Sequence, residues 1–398
     1  MRVTPAAVLV AHCRAGFEPE AVADLARLTA SVQATLAFDA PVGRGFVVVT
    51  PSPFDAQRWP GALAKAPPIF VRSLFFGTGP HALLGPAVAK GRADRLTPLT
   101  ALIQQFRAEF PIPGASHAMR GHPVFGDLRL ETPDTNDGKE LSGLTRSLAA
   151  RLVHSLANAG AMNVPDRADV HASDVAERTG HGNAQRESKP NLHVLFADGA
   201  HAYIGASIAP WASPWPMGIP RLHLPRAAPS RSTLKLAEAF RTFLAGAEHD
   251  AIRAGMRAVD LGAAPGGWTW QLAQRGVRVT AVDNGALKGD VATDPLVTHI
   301  RADGLTYHPR RPVDWLVCDI ADQPSKIASV VAEWMAEGLA RRAIFNLKLP
   351  MKKRYDEVLR CERIIAERLD RGGTGFELRV KQLYHDREEV TGYCARQD

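Results

Sequence analysis

Apolar and polar positions along the chain fall into three stretches with different rhythms. Over residues 1–75, short apolar runs at 7–10, 46–49 and 69–74 alternate with one helical pattern at 19–29. Short runs bounded by turn residues are strand signals, so this stretch predicts a small α+β unit of ferredoxin-like form. Over residues 76–208, apolar positions recur at helical spacing across 139–157, and 191–196 and 202–205 read as strands. Between them, 163–190 is rich in Asp, Arg, His, Gly and Ser and nearly lacks large apolar side chains. A stretch that can bury so little cannot offset the entropy lost on ordering, so a mobile polar insertion is expected there. Over residues 209–398, strand patterns at 257–261, 277–283, 297–301, 315–319, 343–349, 376–384 and 389–394 alternate in the early part with helical ones. That rhythm predicts an α/β, Rossmann-like domain: a doubly wound, mostly parallel, seven-stranded sheet. The six prolines of 210–229, interleaved with Trp211, Trp215 and Met217, predict an ordered, extended connection into it.

Composition narrows the class. At 398 residues, with 45% hydrophobic and 22% charged side chains, the chain is long enough to bury large cores without disulfides or metals. Cys13, Cys318, Cys361 and Cys394 are scattered, with no Cys-x-x-Cys pair and no Cys/His cluster at zinc spacing, so neither a disulfide scaffold nor a metal site is expected. No apolar run reaches membrane-spanning length. The apolar segment 3–11 ends at His12, Cys13 and Arg14 without a small-residue cleavage site, which predicts a buried strand in a cytoplasmic protein, not a secretion signal. Lys and Arg total 48 against 41 acidic residues, and from Trp211 onward 28 basic residues face 23 acidic ones. This excess permits a polyanionic partner and places most of it in the C-terminal half.

Candidate chemistry lies at the strand ends of that half. Asp260-Leu-Gly-Ala-Ala-Pro-Gly-Gly267 ends a buried strand and leads into a helix beginning near Trp268. Glycines there let a backbone approach a ligand closely, and neither Gly-x-Gly-x-x-Gly nor a triphosphate-binding loop occurs. Asp283 and Asp303 end the next two strands. Aspartates commonly end strands in turns, but three in succession beside a Pro-Gly-Gly turn describe a nucleoside pocket. Lys348 interrupts the apolar run 343–349, and Asp319 follows Trp315-Leu-Val-Cys; an unpaired charge in either place would be costly. Cys318 lacks the Pro-Cys pattern of cysteine-nucleophile chemistry and reads as a small core residue.

The motif from Asp260 to Trp268 resembles motif I of S-adenosylmethionine-dependent methyltransferases, in the Pro-Gly-Gly form of the FtsJ-like RNA 2′-O-ribose methyltransferases. Ser213-Pro-Trp-Pro-Met-Gly-Ile-Pro-Arg-Leu, Pro229-Ser-Arg-Ser-Thr-Leu-Lys-Leu, Ile344-Phe-Asn-Leu-Lys-Leu-Pro-Met-Lys-Lys-Arg-Tyr and Leu383-Tyr-His-Asp-Arg-Glu-Glu-Val-Thr are similar to the bacterial ribosomal RNA large subunit methyltransferase M family. The likeness covers about 209–394. In the N-terminal half, Cys13-Arg-Ala-Gly-Phe-Glu and Asp134-Thr-Asn-Asp-Gly-Lys-Glu-Leu resemble the ferredoxin-like and THUMP portions of the same family, THUMP being an RNA-binding module. The resemblance implies three domains: ferredoxin-like 1–75, THUMP 76–208 and methyltransferase 209–398.

What the resemblance implies for function is 2′-O-methylation of a cytidine of bacterial 23S rRNA near the peptidyl-transferase centre, by a monomer with no membrane or metal requirement. S-adenosylmethionine would be held by Ser232, Asp260, Gly262, Ala264, Pro265, Gly266, Gly267, Trp268, Asp283, Asp303 and Asp319. Lys235, Asp319, Lys348 and Glu389 would form the catalytic Lys-Asp-Lys-Glu set, with Glu388 and His385 close enough to take the place of Glu389. Lys348 would be the base, its pKa drawn down by desolvation and by Lys235. Lys352, Lys353 and Arg354, with Arg221, Arg226, Arg231 and Arg241, would neutralise RNA phosphates, and Tyr355, Tyr384 and His385 would stack on a splayed nucleotide. Trp211, Trp215 and Trp268 are expected mainly in packing. Two other readings remain. Base N-methylation would call for an Asn/Asp-Pro-Pro-aromatic motif where Asp319-Ile-Ala-Asp-Gln-Pro stands, and an inactive RNA-binding or assembly factor would have no need of Lys235, Asp319 and Lys348.

Overall fold

The computed structural model describes residues 6–84, 94–115, 123–163, 189–371, 373 and 375–397. The chain divides into two compact units, Met1–Pro220 and Arg221–Asp398. In chain order the first unit holds β1 (Ala7–His12), α1 (Glu18–Ala26), α2 (Thr29–Val32), β2 (Thr35–Asp39), β3 (Phe46–Ser52), α3 (Arg58–Lys65) and β4 (Ser73–Ala82). It continues with α4 (Leu96–Glu109), β5 (Asp127–Glu131), α5 (Asn136–Glu140), α6 (Ser142–Asn158), β6 (Asn191–Phe196) and β7 (His201–Ser207). All seven strands form one sheet, ordered β2-β3-β1-β4-β7-β6-β5.

That single sheet changes the expected division. The boundary placed at residue 75 falls inside β4, whose Phe76 lies opposite Leu9 of β1 on one side and Ala206 of β7 on the other. A ten-residue strand paired along both edges joins the ferredoxin-like part to the part that follows it, and the chain separates at Pro220, not at 208. The strand expected at 69–74 begins only at Ser73, because the Phe70 amide donates to the Asp24 carboxylate at 2.5 Å before regular pairing starts. The expected insertion 163–190 lies almost wholly outside the described residues.

At the end of β5, Glu131 is a buried carboxylate that gathers three distant parts of the chain. Its Oε2 meets His12 Nε2 at 3.2 Å and His193 Nδ1 at 3.0 Å, while Oε1 accepts the Met217 amide at 2.9 Å. His193 is bonded in turn to Ser207 Oγ at 2.7 Å and stacked on Phe75. Two residues earlier on β5, Arg129 donates to the Ser213 carbonyl at 2.9 Å. The proline-rich segment is therefore ordered, as expected, because β5 supplies partners for its backbone. Burial works against the Glu131 charge, but the His193 and His12 rings outweigh it and hold the carboxyl well below the usual range.

The second unit holds α7 (Thr233–Leu244), α8 (Glu248–Ala251), β8 (Arg257–Leu261), α9 (Gly267–Ala273), β9 (Arg278–Val282), β10 (Val297–Ile300) and β11 (Val313–Cys318). After these come α10 (Pro324–Ala336), β12 (Ala340–Lys348), α11 (Arg354–Asp370), β13 (Phe376–Lys381) and β14 (Glu389–Arg396). Its sheet runs β10-β9-β8-β11-β12-β14-β13; the first five strands pair in parallel and β14 is antiparallel to both its neighbours. This is the expected mostly parallel, seven-stranded doubly wound sheet. Parallel strands covered on both faces must be apolar throughout, as Ala258-Val259 and Trp315-Leu-Val-Cys318 are. Helix α7 buries Leu236, Ala239, Phe240 and Phe243, and Phe240 meets Trp315 edge to face at 5.7 Å.

Replacing Glu131 by Gln removes a paired, buried charge and should cost about 3 kcal/mol at pH 7. A carboxyl held low in the fold stabilises above its unfolded pKa, and that contribution is lost as pH falls through the folded value. Urea denaturation at pH 7 and pH 4 should show wild type and Glu131→Gln drawing together at the lower pH.

Candidate active site

The site begins with strand direction. Parallel β11 and β12 deliver Asp319 and Lys348 to the carboxyl edge of the sheet. Antiparallel β14 starts at that same edge, and its register sets Glu389 opposite Lys348. Helix α7 adds Lys235 from its first turn. The four side chains close into a ring of alternating charge. Lys348 Nζ is 2.5 Å from Asp319 Oδ1 and is bonded to Glu389 Oε2, while Lys235 Nζ is bonded to Glu389 Oε1 and stands 3.6 Å from Asp319 Oδ2. Each carboxylate thus serves both lysines, one through each oxygen.

The ring corrects one expectation. Burial does draw the Lys348 pKa down, but the Asp319 and then the Glu389 carboxylates raise it more, so Lys348 is an ammonium held above the ordinary lysine value. Its like-charged neighbour Lys235 does not decide the balance, because two carboxylates are in direct contact with Lys348. The geometry also separates the three candidates for the fourth position. Glu389 is in the ring, the exposed Glu388 carboxylate pairs with Arg354 at 2.7 Å, and His385 Nδ1 lies 2.6 Å from Glu238.

Glu238 carries no signal of its own in the sequence except its place one turn beyond Lys235, on the same face of α7. It is buried, and its carboxylate accepts the Tyr384 amide at 2.8 Å and the His385 amide at 2.9 Å. The helix that supplies Lys235 therefore also holds the turn that leads into Glu389. Asn346, Thr391 and Asp386, all fully buried behind the ring, are likewise residues that sequence reasoning did not single out.

Next to the ring, the Pro-Gly-Gly turn shapes a cradle. Gly266 sits at φ 115°, and a methyl on it would come 2.7 Å from Val291 Cγ1; a methyl on Gly267 would overlap the hydroxyls of Ser230 and Ser232. Asp283 ties this turn to the end of β9, accepting the Ala264 amide at 3.0 Å and the Gly285 amide at 2.7 Å. Each of its oxygens keeps a lone pair for ribose hydroxyls. Asp260 is fully buried; Thr269 donates to one oxygen at 2.6 Å, and the other, Oδ1, has no partner among the described residues. Burial, aided by Asp319 and Asp283, pushes its carboxyl up to about 7 despite the Thr269 bond. An orphaned acceptor and a two-oxygen ribose receptor suit a nucleoside ligand with an amino group. Asp303 is exposed and accepts the Leu305 amide at 2.9 Å. Trp268 lies in the core with its Nε1 donating to the Ser232 carbonyl at 3.1 Å, so its ring serves packing. Cys318 is buried and its thiol is pushed up to about 12 by desolvation, as a core residue's would be.

Residues 228–363 match the FtsJ-like methyltransferase family, and residues 94–175 match the N-terminal region of ribosomal RNA large subunit methyltransferase M. A ribosomal RNA large subunit methyltransferase M from Azoarcus sp. (strain BH72) is 43% identical over 387 residues, 97% of this chain and 95% of its own. One from Methylococcus capsulatus is 43% identical over 393 residues, 98% of each chain. The chain belongs to the ribosomal RNA large subunit methyltransferase M family.

Around the ring of this family member, Lys352, Lys353, Arg221, Arg226, Arg231 and Arg241 are exposed, whereas Arg354, expected among the phosphate-binding cations, is tied to Glu388. Tyr384 and His385 sit edge to face at 5.2 Å, both half-buried. Among the described residues no group of three His, Cys, Asp or Glu side chains converges as a metal ion would need.

A carboxyl raised in the fold favours folding below its unfolded pKa, and that advantage is lost as pH rises through the folded value. For Asp260 this means a loss of about 2–3 kcal/mol between pH 5 and pH 8. Denaturation of wild type and Asp260→Asn across that range should show the slope only in wild type.

Proposed function

We propose that this protein methylates the 2′-hydroxyl of a cytidine in bacterial 23S ribosomal RNA, near the peptidyl-transferase centre, using S-adenosylmethionine. The observation that carries this reading is the closed Lys235–Asp319–Lys348–Glu389 ring beside the Pro-Gly-Gly cradle. S-adenosylmethionine supplies a methyl group made electrophilic by the positive sulfur. Asp283 would take its ribose, Asp303 its adenine, and Asp260 with the backbone around Gly262, Pro265 and Gly266 the remainder. Ser232, packed against Gly267, closes that side.

A ribose 2′-hydroxyl is a weak nucleophile, so its attack needs alignment and proton removal. Lys348 is the proposed base. Its carboxylate partners make the neutral amine scarce near pH 7, and they also make it a stronger base when it forms, since the ammonium it becomes is stabilised on two sides. The hydroxyl proton passes to Lys348 Nζ as the oxygen–methyl bond forms. Lys235 keeps Glu389 and Asp319 from closing wholly on Lys348. The exposed Lys352 and Lys353, directly after the catalytic strand end, would take phosphates beside the reacting ribose. The first unit would act as the RNA-binding part, combining the ferredoxin-like and THUMP portions. In support, Arg72 bonds both the Cys13 carbonyl at 2.5 Å and Asp134 at 3.2 Å, joining the two motifs by which that unit resembles the family.

Mass-spectrometric mapping of unmodified 23S rRNA incubated with S-adenosylmethionine should find one 2′-O-methylcytidine made by wild type and none made by Lys348→Ala. A methyl group on a base, or no ribose methylation on either naked rRNA or assembled subunits, would overturn the reading. With Lys348 held high, log kcat should climb by about one per pH unit from pH 7 to 9; a flat profile would remove Lys348 as base. Changing Lys352 and Lys353 together to Ala should flatten the slope of log RNA affinity against log salt by about one to two, read from filter binding over a salt series.

A further inference from the structure

We infer that Asn346, Thr391 and Asp386 form a one-way hydrogen-bond chain behind the ring, which positions the Asp319 carboxylate and withholds a third negative charge from Lys348. The inference rests on the proposed reaction for its effect on rate, and on geometry alone for the chain. On β12 and β14, Asn346 lies opposite Thr391 two residues inward from the Lys348–Glu389 pair, so both pairs project from the same face. Asn346 and Thr391 are fully buried, and polar groups so placed are costly unless their bonds are made.

The direction of each bond follows from the end nearest the ring. Asp319 Oδ1 lies 3.1 Å from the Asn346 amide group, and a carboxylate only accepts, so the Asn346 NH2 faces Asp319. The Asn346 carbonyl must then face Thr391, whose Oγ1 donates to it at 2.9 Å. A hydroxyl has one hydrogen, and that donation uses it. Yet Thr391 Oγ1 is also 3.1 Å from Asp386 Oδ1 and 2.9 Å from Oδ2, so this contact is a hydrogen bond only if Asp386 is the donor. Oδ2 already accepts the Leu383 amide at 2.9 Å, which leaves Oδ1 to carry the proton. An ionised Asp319 at one end thus requires a neutral Asp386 at the other. The surroundings agree: burial, then the Glu389 and Glu238 carboxylates, push the Asp386 carboxyl well above its usual range.

The groups around the chain set the direction of its effect. Asp319 faces Lys235 from α7, Lys348 from β12 and, beyond contact, Asp260 from β8; Asp386 faces Glu389 from β14 and Glu238 from α7. The Asn346 donor takes part of the Asp319 charge that would otherwise fall on Lys348. Without it Lys348 is held as ammonium still more firmly, and the neutral base becomes scarcer. Asn346 and Thr391 are positioning residues, acting through Asp319.

Three measurements test this. Asn346→Leu and Thr391→Val should lower kcat at pH 7 about tenfold, leave KM for RNA and for S-adenosylmethionine unchanged, and move the rising limb of the pH profile upward, with Thr391→Ser returning both toward wild type. Folded variants with kcat within about twofold of wild type and an unmoved limb would overturn the inference. Isotope-edited infrared spectra of 13C-aspartate protein at pH 9, where Asp260 is ionised, should show a carboxylic-acid carbonyl band in wild type that Asp386→Asn lacks. Absence of that band in wild type would also overturn it, whether or not the other variants fold. Failure of wild type to methylate RNA would instead sink the proposed function while the infrared result still judged the chain.

Discussion

Two ammonium groups can share a half-buried site only when each faces carboxylate oxygens of its own, and most of the C-terminal unit is arranged to satisfy that demand. Glu389 can serve Lys235 and Lys348 together because β14 runs against β12 and begins where β12 ends. Had β14 been parallel, its first residue would lie at the opposite edge of the sheet. Helix α7 brings Lys235 to the same place, and its Glu238 holds the turn before β14, so the ring and its approach are set by one helix. Removing both charges from water is tolerable because every ring oxygen has a cationic partner.

The two units solve a similar problem with different chemistry. In the first, Glu131 at a strand end collects two imidazoles and a backbone amide from segments far apart in the chain. In the second, the strand-end carboxylates collect ammonium groups. The first arrangement is sealed and anchors a proline-rich segment; the second is partly open, with Lys348 30% exposed at its side chain, and so leaves the lysine within reach of a substrate.

What could be read from the sequence follows the range of the interactions involved. Strands β8 to β12 were legible because buried parallel strands are apolar along their length, and Lys348 and Asp319 stood out as charges set in such runs. Strands β2 and β5 were not, since the side chains of Thr35–Asp39 are at most half-buried and Asp127–Glu131 carries charges at three of its five positions. The break expected at residue 75 failed because nothing local tells that one strand pairs on both edges. The direction of the Lys348 shift failed for a related reason: Lys235 and desolvation could be weighed in advance, but the contact with two carboxylates depends on register between β12 and β14. Asn346 and Thr391 were invisible on the same ground, although an Asn two positions before a buried Lys on one strand is a face-sharing pattern that could be sought.

The closed form of the ring also bears on how such a site changes over generations. Neutralising any one of its four members strands an odd charge in a site where water is scarce, whereas losing one lysine together with one carboxylate leaves the remaining pair balanced. Descendants that abandon the chemistry are therefore expected to shed these residues two at a time and of opposite sign. A chain that has drifted by a single member carries a mark of recent or ongoing decay, and one that keeps all four, as this chain does, has stayed on the side of the barrier where each residue protects the other three.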